Sequence, residues 1–231
     1  MWVSGRTVLS GERFRRGSQQ LALRPMAHAS DPALLVLLGL RVKGFTSVDG
    51  LDEVIGIGPD KISTHLKDFR NKELVLFREG RMTGWSLSAA GRAQGEQWLA
   101  AELEAAGVRP TVHQSYRTFL SLNPEMLGLC NEWQMSDSGT LNDHSNQAYD
   151  AAVVGKLGEL HAKAAPICEE LGGVLDRYLP YTGRLESALQ QLQSGENDWF
   201  TSVRTASYHT VWFELHENLI ATLGVDRAKE V

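Results

Sequence analysis

Side chains that can hydrogen-bond to phosphates and bases are concentrated in one short segment of this chain, residues 59–71. Lysine and arginine donate to phosphate oxygens, and hydroxyl, imidazole and guanidinium groups reach the polar edges of bases. Arg78 and Arg81 add two cations shortly downstream. We therefore predict a DNA contact surface, whose members in the segment itself are Lys61, Ser63, Thr64, His65, Lys67 and Arg70.

The segment that carries these side chains has the pattern of an amphipathic helix. Pro59 follows Gly58 at the first helical position, where the fixed φ of proline is favourable and its missing N–H is not needed. Ile62, Leu66 and Phe69 recur at helical spacing and form one apolar stripe. The predicted helix thus has one face for a core and leaves its polar faces to a partner.

Two further helices are expected upstream of this segment. The nearer one begins at Ser47 and ends at the glycine-rich turn of residues 56–58, which redirects the chain sharply. The first one begins at Ser30 or Asp31 and continues through the apolar run of residues 33–38. That run is too short to span a bilayer.

A hairpin pattern follows the basic helix. Residues 74–78 and 82–87 read as two strands around the tight turn of residues 79–81, and Ser88 can cap a further helix. Three helices and then a hairpin is the order of a winged helix-turn-helix. The expected fold class is therefore mainly α, with this unit first and an all-helical bundle after it.

Two stretches of sequence carry a resemblance to a known family. WSLSAAGR resembles the wing exit of MarR-type regulators, and KISTHLKDFRNKELV resembles their recognition helix. The resemblance covers residues 30–107 and implies a transcriptional regulator whose wing carries Arg78 and Arg81. PadR-like and GntR-like regulators share most of the pattern. The chain departs from it in a short wing, a longer C-terminal region and the acidic residues Asp60, Asp68 and Glu79.

The distribution of charge supports a DNA partner. Residues 58–92 carry seven Lys and Arg residues and four Asp and Glu residues, a net charge of +3. Residues 93–231 carry nine against nineteen, a net charge of −10, so the overall charge of −5 conceals a basic patch. Two such patches in a homodimer would neutralise enough phosphates for salt-dependent binding.

Composition predicts an ordinary soluble chain with room for two modest domains. We expect a leader at residues 1–27, a DNA-binding domain at 28–107 and a helical dimerisation or effector domain at 108–231. The leader lacks the apolar core of a signal peptide; it is a disordered tail, an over-extended reading frame or a basic arm along DNA. The separated Cys130 and Cys168 favour reduced core thiols and a cytoplasmic location, with a redox pair as the alternative.

The region after residue 110 reads as helical throughout. Breaks are expected at residues 123–124, 136–146, 179–180 and 194–195, and Pro166 should kink or split a long helix. We expect the last helix to be capped by Asn197 or Asp198, and all these helices together to form a bundle.

Three roles compete for the bundle: a ligand-binding effector domain, a dimerisation unit and a metal site. The ligand hypothesis uses aromatic walls and a few polar groups, namely Trp133, His161, Trp199, Arg204, Tyr208 and Trp212. Tryptophans at helical spacing also fit a plain core. The metal hypothesis uses His209 and His216, with His161 or His144 as a third ligand; ordinary buried histidines are the alternative that we favour.

Catalytic and cofactor motifs are not evident in the sequence. It contains no phosphate-binding glycine loop, no Gly-x-Ser-x-Gly and no His-Glu-x-x-His. We expect no enzyme activity, no cofactor and no membrane partner. The expected function is a DNA-binding regulator, a homodimer on a pseudo-palindromic site with a small-molecule effector. The alternative is a winged-helix module that binds a protein partner without contacting DNA.

Overall fold

The computed structural model describes Met1, residues 26–136 and residues 139–226. Within that part the protein is mainly helical, with one small antiparallel sheet. Most of the expected leader, residues 2–25, lies outside the described residues. The elements in chain order are α1 (Pro32–Lys43), β1 (Phe45–Thr46), α2 (Val48–Ile55), α3 (Pro59–Asn71), β2 (Val75–Arg78), β3 (Gly84–Leu87), α4 (Ala89–Ala106), α5 (Arg109–Gln134), α6 (Gln147–Gly172), α7 (Leu179–Gln193) and α8 (Tyr208–Leu223).

The predicted starts of the first helices are confirmed. Asp31 caps α1, and its carboxylate accepts a hydrogen bond from the N–H of Ala33. Ser47 caps α2 and Ser88 caps α4 in the same way, through hydroxyls that accept from the N–H three residues on. Each cap satisfies an N–H that the helix itself leaves unpaired.

The sheet has the strand order β1-β3-β2, and all neighbouring strands are antiparallel. The hairpin of β2 and β3 was expected, although its connection, residues 79–83, is longer than the predicted turn. Strand β1 was not expected, because two residues are too few to show an alternating pattern. It pairs Phe45 with Ser86 and Thr46 with Trp85, which fixes the entrance to α2 against the hairpin.

The first core lies between α1, α2, α3 and β2. The predicted stripe of α3, Ile62, Leu66 and Phe69, is buried there. Its neighbours in the cluster are Val36, Leu37, Leu40, Leu51 and Val75. Burial of these side chains holds α3 with its polar faces toward solvent.

The long helices of the C-terminal region overturn the break predicted at residues 123–124 and, of the kink or split predicted at Pro166, the split. Helix α5 passes through Pro124 without the predicted break, and α6 passes through Pro166 without being split. Both prolines are exposed, so the carbonyl that each leaves unpaired can be solvated. Buried residues on either side, such as Phe119 and Met126 in α5, keep the helix packed across the proline. The predicted breaks at residues 136–146 and 194–195 are confirmed, and the break predicted near residues 179–180 lies just before them, between the end of α6 and the start of α7 at Leu179.

The predicted start of the last helix was wrong. Residues 197–199 form only a short 3-10 turn, and α8 begins ten residues or so later at Tyr208. Ser207, which is fully buried, is its cap and accepts a hydrogen bond from the N–H of Thr210 at 3.2 Å. Between the 3-10 turn and α8, Phe200 is buried in the core, and its carbonyl accepts a hydrogen bond from the N–H of His209 at 2.9 Å.

Helix α8 joins the two halves of the chain, since it packs against α1 and α4 as well as α5 and α7. An apolar cluster at this junction contains Leu34, Leu35, Leu38 and Val42 of α1, with Leu99 of α4 and Ala221 of α8. Helix α4 ends at Gly107, its left-handed cap. The division into domains at this residue stays a prediction. Helix α8 therefore holds the C-terminal helices against α1 and α4, in addition to the backbone connection.

Candidate nucleic-acid interface

The turn between α2 and α3 sets the direction of the candidate DNA-contacting helix. Gly56 and Gly58 have φ values of 63° and 93°, which residues with a Cβ rarely adopt. The N–H of Gly58 donates to Asp52 Oδ1 at 2.8 Å and so ties the start of α3 to α2. The backbone conformation of this turn thus favours glycine at both Gly56 and Gly58.

The polar side chains of α3 fall into two groups. Lys61, Thr64, Lys67 and Arg70 are exposed, whereas Ser63 and His65 are half-buried. On a helix of 3.6 residues per turn, Lys61 and Lys67 flank the outermost line of the exposed surface. The sequence proposed all six residues as candidates, but it could not separate those that reach solvent from those at the edge of the core.

Several of these side chains are engaged inside the protein. The hydroxyl of Thr64 donates to the carbonyl of Asp60 at 2.9 Å, and the His65 ring lies 5.9 Å from that of Phe69. The Arg70 guanidinium lies over the Phe77 ring at 5.5 Å, a cation–π contact that links α3 to β2. Lys61 and Lys67 form no ion pair with any described residue.

The hairpin presents two more cations beside α3. Arg78, at the end of β2, and Arg81, in the connection, are both exposed and make no ion pair within the described part of the chain. The cross-strand contact of Phe77 with Trp85, with ring centroids 4.6 Å apart, stiffens the hairpin behind them. We call Lys61, Lys67, Arg78 and Arg81 the basic face.

Acidic residues near the basic face oppose it only in part. Asp68 is paired with Lys72 at 2.7 Å, one turn along α3, so their charges offset each other. Asp60 and Glu79 have no such cation among the described residues. The local net charge of +3 over residues 58–92 therefore comes chiefly from side chains that are exposed and unpaired.

Close packing explains why the WSLSAAGR motif has glycine, and not a larger residue, at Gly91. A Cβ on Gly91 would lie 1.9 Å from the carbonyl oxygen of Leu74, which accepts the N–H of Ser88 at 3.0 Å. Any side chain at residue 91 would thus push the start of α4 away from the loop before β2. The motif holds α4, β3 and the loop before β2 in close contact.

A different set of cations joins the two halves of the protein. Arg41 of α1 pairs with Glu217 of α8 at 3.0 Å and with Glu96 of α4 at 2.6 Å, and Lys43 pairs with Glu214 of α8 at 3.1 Å. We call Arg41, Lys43 and these three glutamates the docking face. Sequence reasoning did not predict it, because α1, α4 and α8 are brought together only by the fold.

The residues of the ligand hypothesis occupy different surroundings. His161, Tyr208 and Trp212 lie together, with His161 Nδ1 3.3 Å from the Tyr208 hydroxyl and Trp212 Nε1 donating to Asn123 Oδ1 at 3.1 Å. Tyr208 and Trp212 are core residues, whereas Arg204 is exposed and Trp199 is half-buried. Trp133, also buried, lines a cavity of about 570 Å³.

The histidines of the metal hypothesis do not form a metal site in the described residues, where no cluster of three or more His, Cys, Asp or Glu side chains could hold an ion. His216 is buried with its ring 5.7 Å from that of Phe119. Burial lowers the pKa of His209, which is half-buried. Both therefore resemble ordinary packed histidines.

Both cysteines are free and buried. Burial raises the pKa of Cys130 to about 11 and that of Cys168 to about 12. The thiolate form, which is the one that reacts, is therefore disfavoured at neutral pH. These values support the expectation of inert core thiols.

Comparisons with known proteins add no relative: no family model matches the chain, no curated protein matches its sequence and no solved structure matches its fold. No helix within the described residues is long and apolar enough to cross a membrane. Function must therefore be inferred from the geometry of the chain itself.

Proposed function

We propose that this protein is a DNA-binding transcriptional regulator of the winged helix-turn-helix type, resembling MarR-type regulators. The observation that carries the proposal is the basic face, whose lysines and arginines are exposed and unpaired although the whole chain has a net charge of −5. Exposed cations without acidic partners are suited to phosphate oxygens. The element order α1-β1-α2-α3-β2-β3 agrees with that of a winged helix, with α3 as recognition helix and the β2–β3 hairpin as wing.

The proposed complex is a homodimer on a pseudo-palindromic site, with one α3 in each of two major grooves about one helical turn apart. One basic face offers few phosphate contacts, so a second copy is needed for firm binding. Because α8 contacts both α1 and α4, a change in the bundle can alter the separation of the two α3 helices. An effector would act by binding better to one separation than to the other.

The test compares two double substitutions of equal charge. Lys61→Ala with Lys67→Ala removes half of the basic face. The control, Lys156→Ala with Lys163→Ala, removes two exposed lysines of α6 that are paired with Glu132 and Glu125. We expect the first variant to lose at least about tenfold in affinity for genomic DNA fragments, and its log–log salt slope to fall by about 2 per protomer, roughly one unit per lysine.

Fluorescence anisotropy at several salt concentrations measures both quantities, and circular dichroism checks that each variant is folded. The control variant should bind DNA as the unmodified protein does. Equal losses in the two variants, or none in either, would show that the basic face does not contact DNA.

A second candidate, a protein-binding winged helix, is favoured by one observation. The hairpin also exposes apolar side chains, with Leu76 52% and Met82 70% exposed. Such residues occur at protein interfaces. A heparin column separates the two functions: retention until raised salt supports DNA binding, and elution at low salt supports the protein partner.

A further inference from the structure

The cavity of about 570 Å³ lies between α6, the end of α7 and the loop that precedes α6. Its volume is in the range of small-molecule sites. Trp133, Val154 and Leu192 form apolar parts of its wall, and His144 and Asp150 form a polar part. The cavity therefore combines apolar surface with a localised pair of hydrogen-bonding groups.

The imidazole of His144 is held by a buried carboxylate. Asp150, 9% exposed, places Oδ2 3.0 Å from His144 Nδ1. Asn142 Nδ2 is also 3.3 Å from Nδ1, but its hydrogens are directed to Asp150 Oδ1 at 2.8 Å and the Trp133 carbonyl at 3.1 Å. Nδ1 therefore carries the proton and donates it to Asp150.

In the neutral form of the ring, this tautomer leaves the other ring nitrogen as an acceptor. His144 Nε2 makes no hydrogen bond to any described residue, and the side chain lines the cavity. The residue has a φ of 59° and its N–H donates to Asn142 Oδ1 at 3.0 Å, so the ring is positioned by both backbone and side chain. A neutral imidazole in this state accepts a hydrogen bond from a ligand.

The floor of the cavity is open because α6 carries glycines there. A Cβ on Gly155 or Gly158 would meet no atom within 4 Å. Three amides, of Gln147, Gln193 and Asn197, complete the lining, and they can both donate and accept. None of the described lining residues is Lys or Arg, and Asp150 would repel an anion.

We propose that this cavity binds an uncharged planar ring compound that bears an O–H or N–H donor. The donor is received by His144 Nε2, and the ring lies in the space between Trp133, Leu192 and the glycines of α6. The claim that a ligand in this cavity regulates DNA binding rests on the proposed function. The claim that the cavity binds such a compound does not.

The experiment measures binding to the full chain without DNA. Phenol tests an O–H donor, adenine tests an N–H donor, and benzoate tests an anion of similar size. Titrations followed by the tryptophan side-chain N–H signals in NMR should show saturable binding of phenol or adenine with a dissociation constant on the order of 1 mM, as expected for such small molecules. Benzoate should bind at least about tenfold more weakly.

Two leucine substitutions provide a matched pair. Gly158→Leu fills the cavity, whereas Gly183→Leu is placed on an exposed part of α7 that also has open space around its Cβ. Both replace a helical glycine by a better helix former, so neither should unfold the protein. We expect Gly158→Leu to weaken binding at least about tenfold and Gly183→Leu to leave it unchanged. His144→Phe, which keeps a ring but removes the acceptor, should weaken it about fivefold to tenfold.

Two results would overturn the site: no saturable binding of phenol or adenine up to about 10 mM, well above the affinity expected of such fragments, or equal binding by the Gly158→Leu and unmodified proteins. Tighter binding of benzoate would overturn the ligand class. Because DNA is absent, failure here leaves the DNA assignment intact, and loss of DNA binding in the lysine variant leaves this site intact.

Discussion

The docking face and the basic face use the same types of cation for opposite purposes. On the docking face, Arg41 and Lys43 meet glutamates of α4 and α8, and Glu214 is only 2% exposed. On the basic face, Lys61 and Lys67 meet no carboxylate among the described residues. The surroundings of a cation, and not its type, thus distinguish an internal contact from a surface available to a partner.

The energetic consequences differ because of solvent. Exposed charges are well hydrated, so removing one changes stability little. Charges at a buried junction depend on their partners, so removing one leaves the other uncompensated. Substitutions on the docking face should therefore affect folding, whereas those on the basic face should affect binding.

The largest effect is expected at Arg177, which extends this junction into the interior. Its buried guanidinium pairs with Glu102 of α4 and donates to Ser30 Oγ at 3.1 Å and Thr222 Oγ1 at 3.0 Å. Arg177→Met should lower the free energy of unfolding by about 3–5 kcal/mol, because Glu102 is left buried without a cation. Urea unfolding followed by circular dichroism measures this change in the free energy of unfolding.

A double substitution controls for this loss. Arg177→Met with Glu102→Met replaces both charges by apolar groups of similar length, and we expect the double variant to be more stable than Arg177→Met alone. A single variant within about 1 kcal/mol of the unmodified protein would contradict the importance of the pair.

An intermediate effect on the free energy of unfolding is expected for a lysine-to-alanine substitution on the docking face, compared with the same substitution on the basic face. Lys43→Ala removes one of the two cations on Glu214, leaving Arg184 at 2.5 Å. It should cost about 1–2 kcal/mol of unfolding free energy. Lys67→Ala should change that free energy by no more than about 0.5 kcal/mol. Similar values for the two substitutions in urea unfolding would remove the distinction between the faces.

The smallest effect concerns pH. Burial lowers the pKa of His161, against a weaker opposite effect of Glu186, and burial also lowers that of His209. The unfolded chain then takes up protons first as pH falls below about 6.5, so the contribution of these groups is complete above that pH and is lost below it. The unfolding free energy of the protein should therefore fall slightly more between pH 7.5 and 5.5 than that of a His161→Asn, His209→Asn variant. If the unfolding free energies of the two proteins changed equally between pH 7.5 and 5.5, the lowered pKa values of His161 and His209 would be contradicted.

Local signals in the sequence were sufficient for much of the first half of the fold. The caps Asp31, Ser47 and Ser88 and the stripe of α3 were predicted because each depends on residues within a turn or two of chain. The failures depend on distant residues. Strand β1 exists only by pairing with β3, and α5 and α6 continue through Pro124 and Pro166 because of packing along their length.

In the candidate sites, too, the sequence could propose residues from local signals but could not give their contacts with distant residues. The residues of α3 were recognised from their types and spacing, but Arg70 turned out to contact Phe77. The pairing of His144 with Asp150 was missed, although the run Asn142-Asp143-His144 just before a predicted helix was a signal of a structured polar loop. The aromatic residues of the ligand hypothesis were predicted as one group, but only tertiary packing could assign Trp133 to the cavity and Tyr208 to the core.

The sequence by itself determined the helices with clear caps, the buried stripe of α3 and the segregation of positive charge into residues 58–92, since all three depend on neighbouring residues. Tertiary structure decided which cations remain unpaired. Arg41 and Lys43 are neutralised by glutamates that lie far along the chain, and Lys61 and Lys67 are not. The reason is physical: a charge depends on every group within a few ångströms, and only the folded chain brings α1, α4 and α8 within that distance.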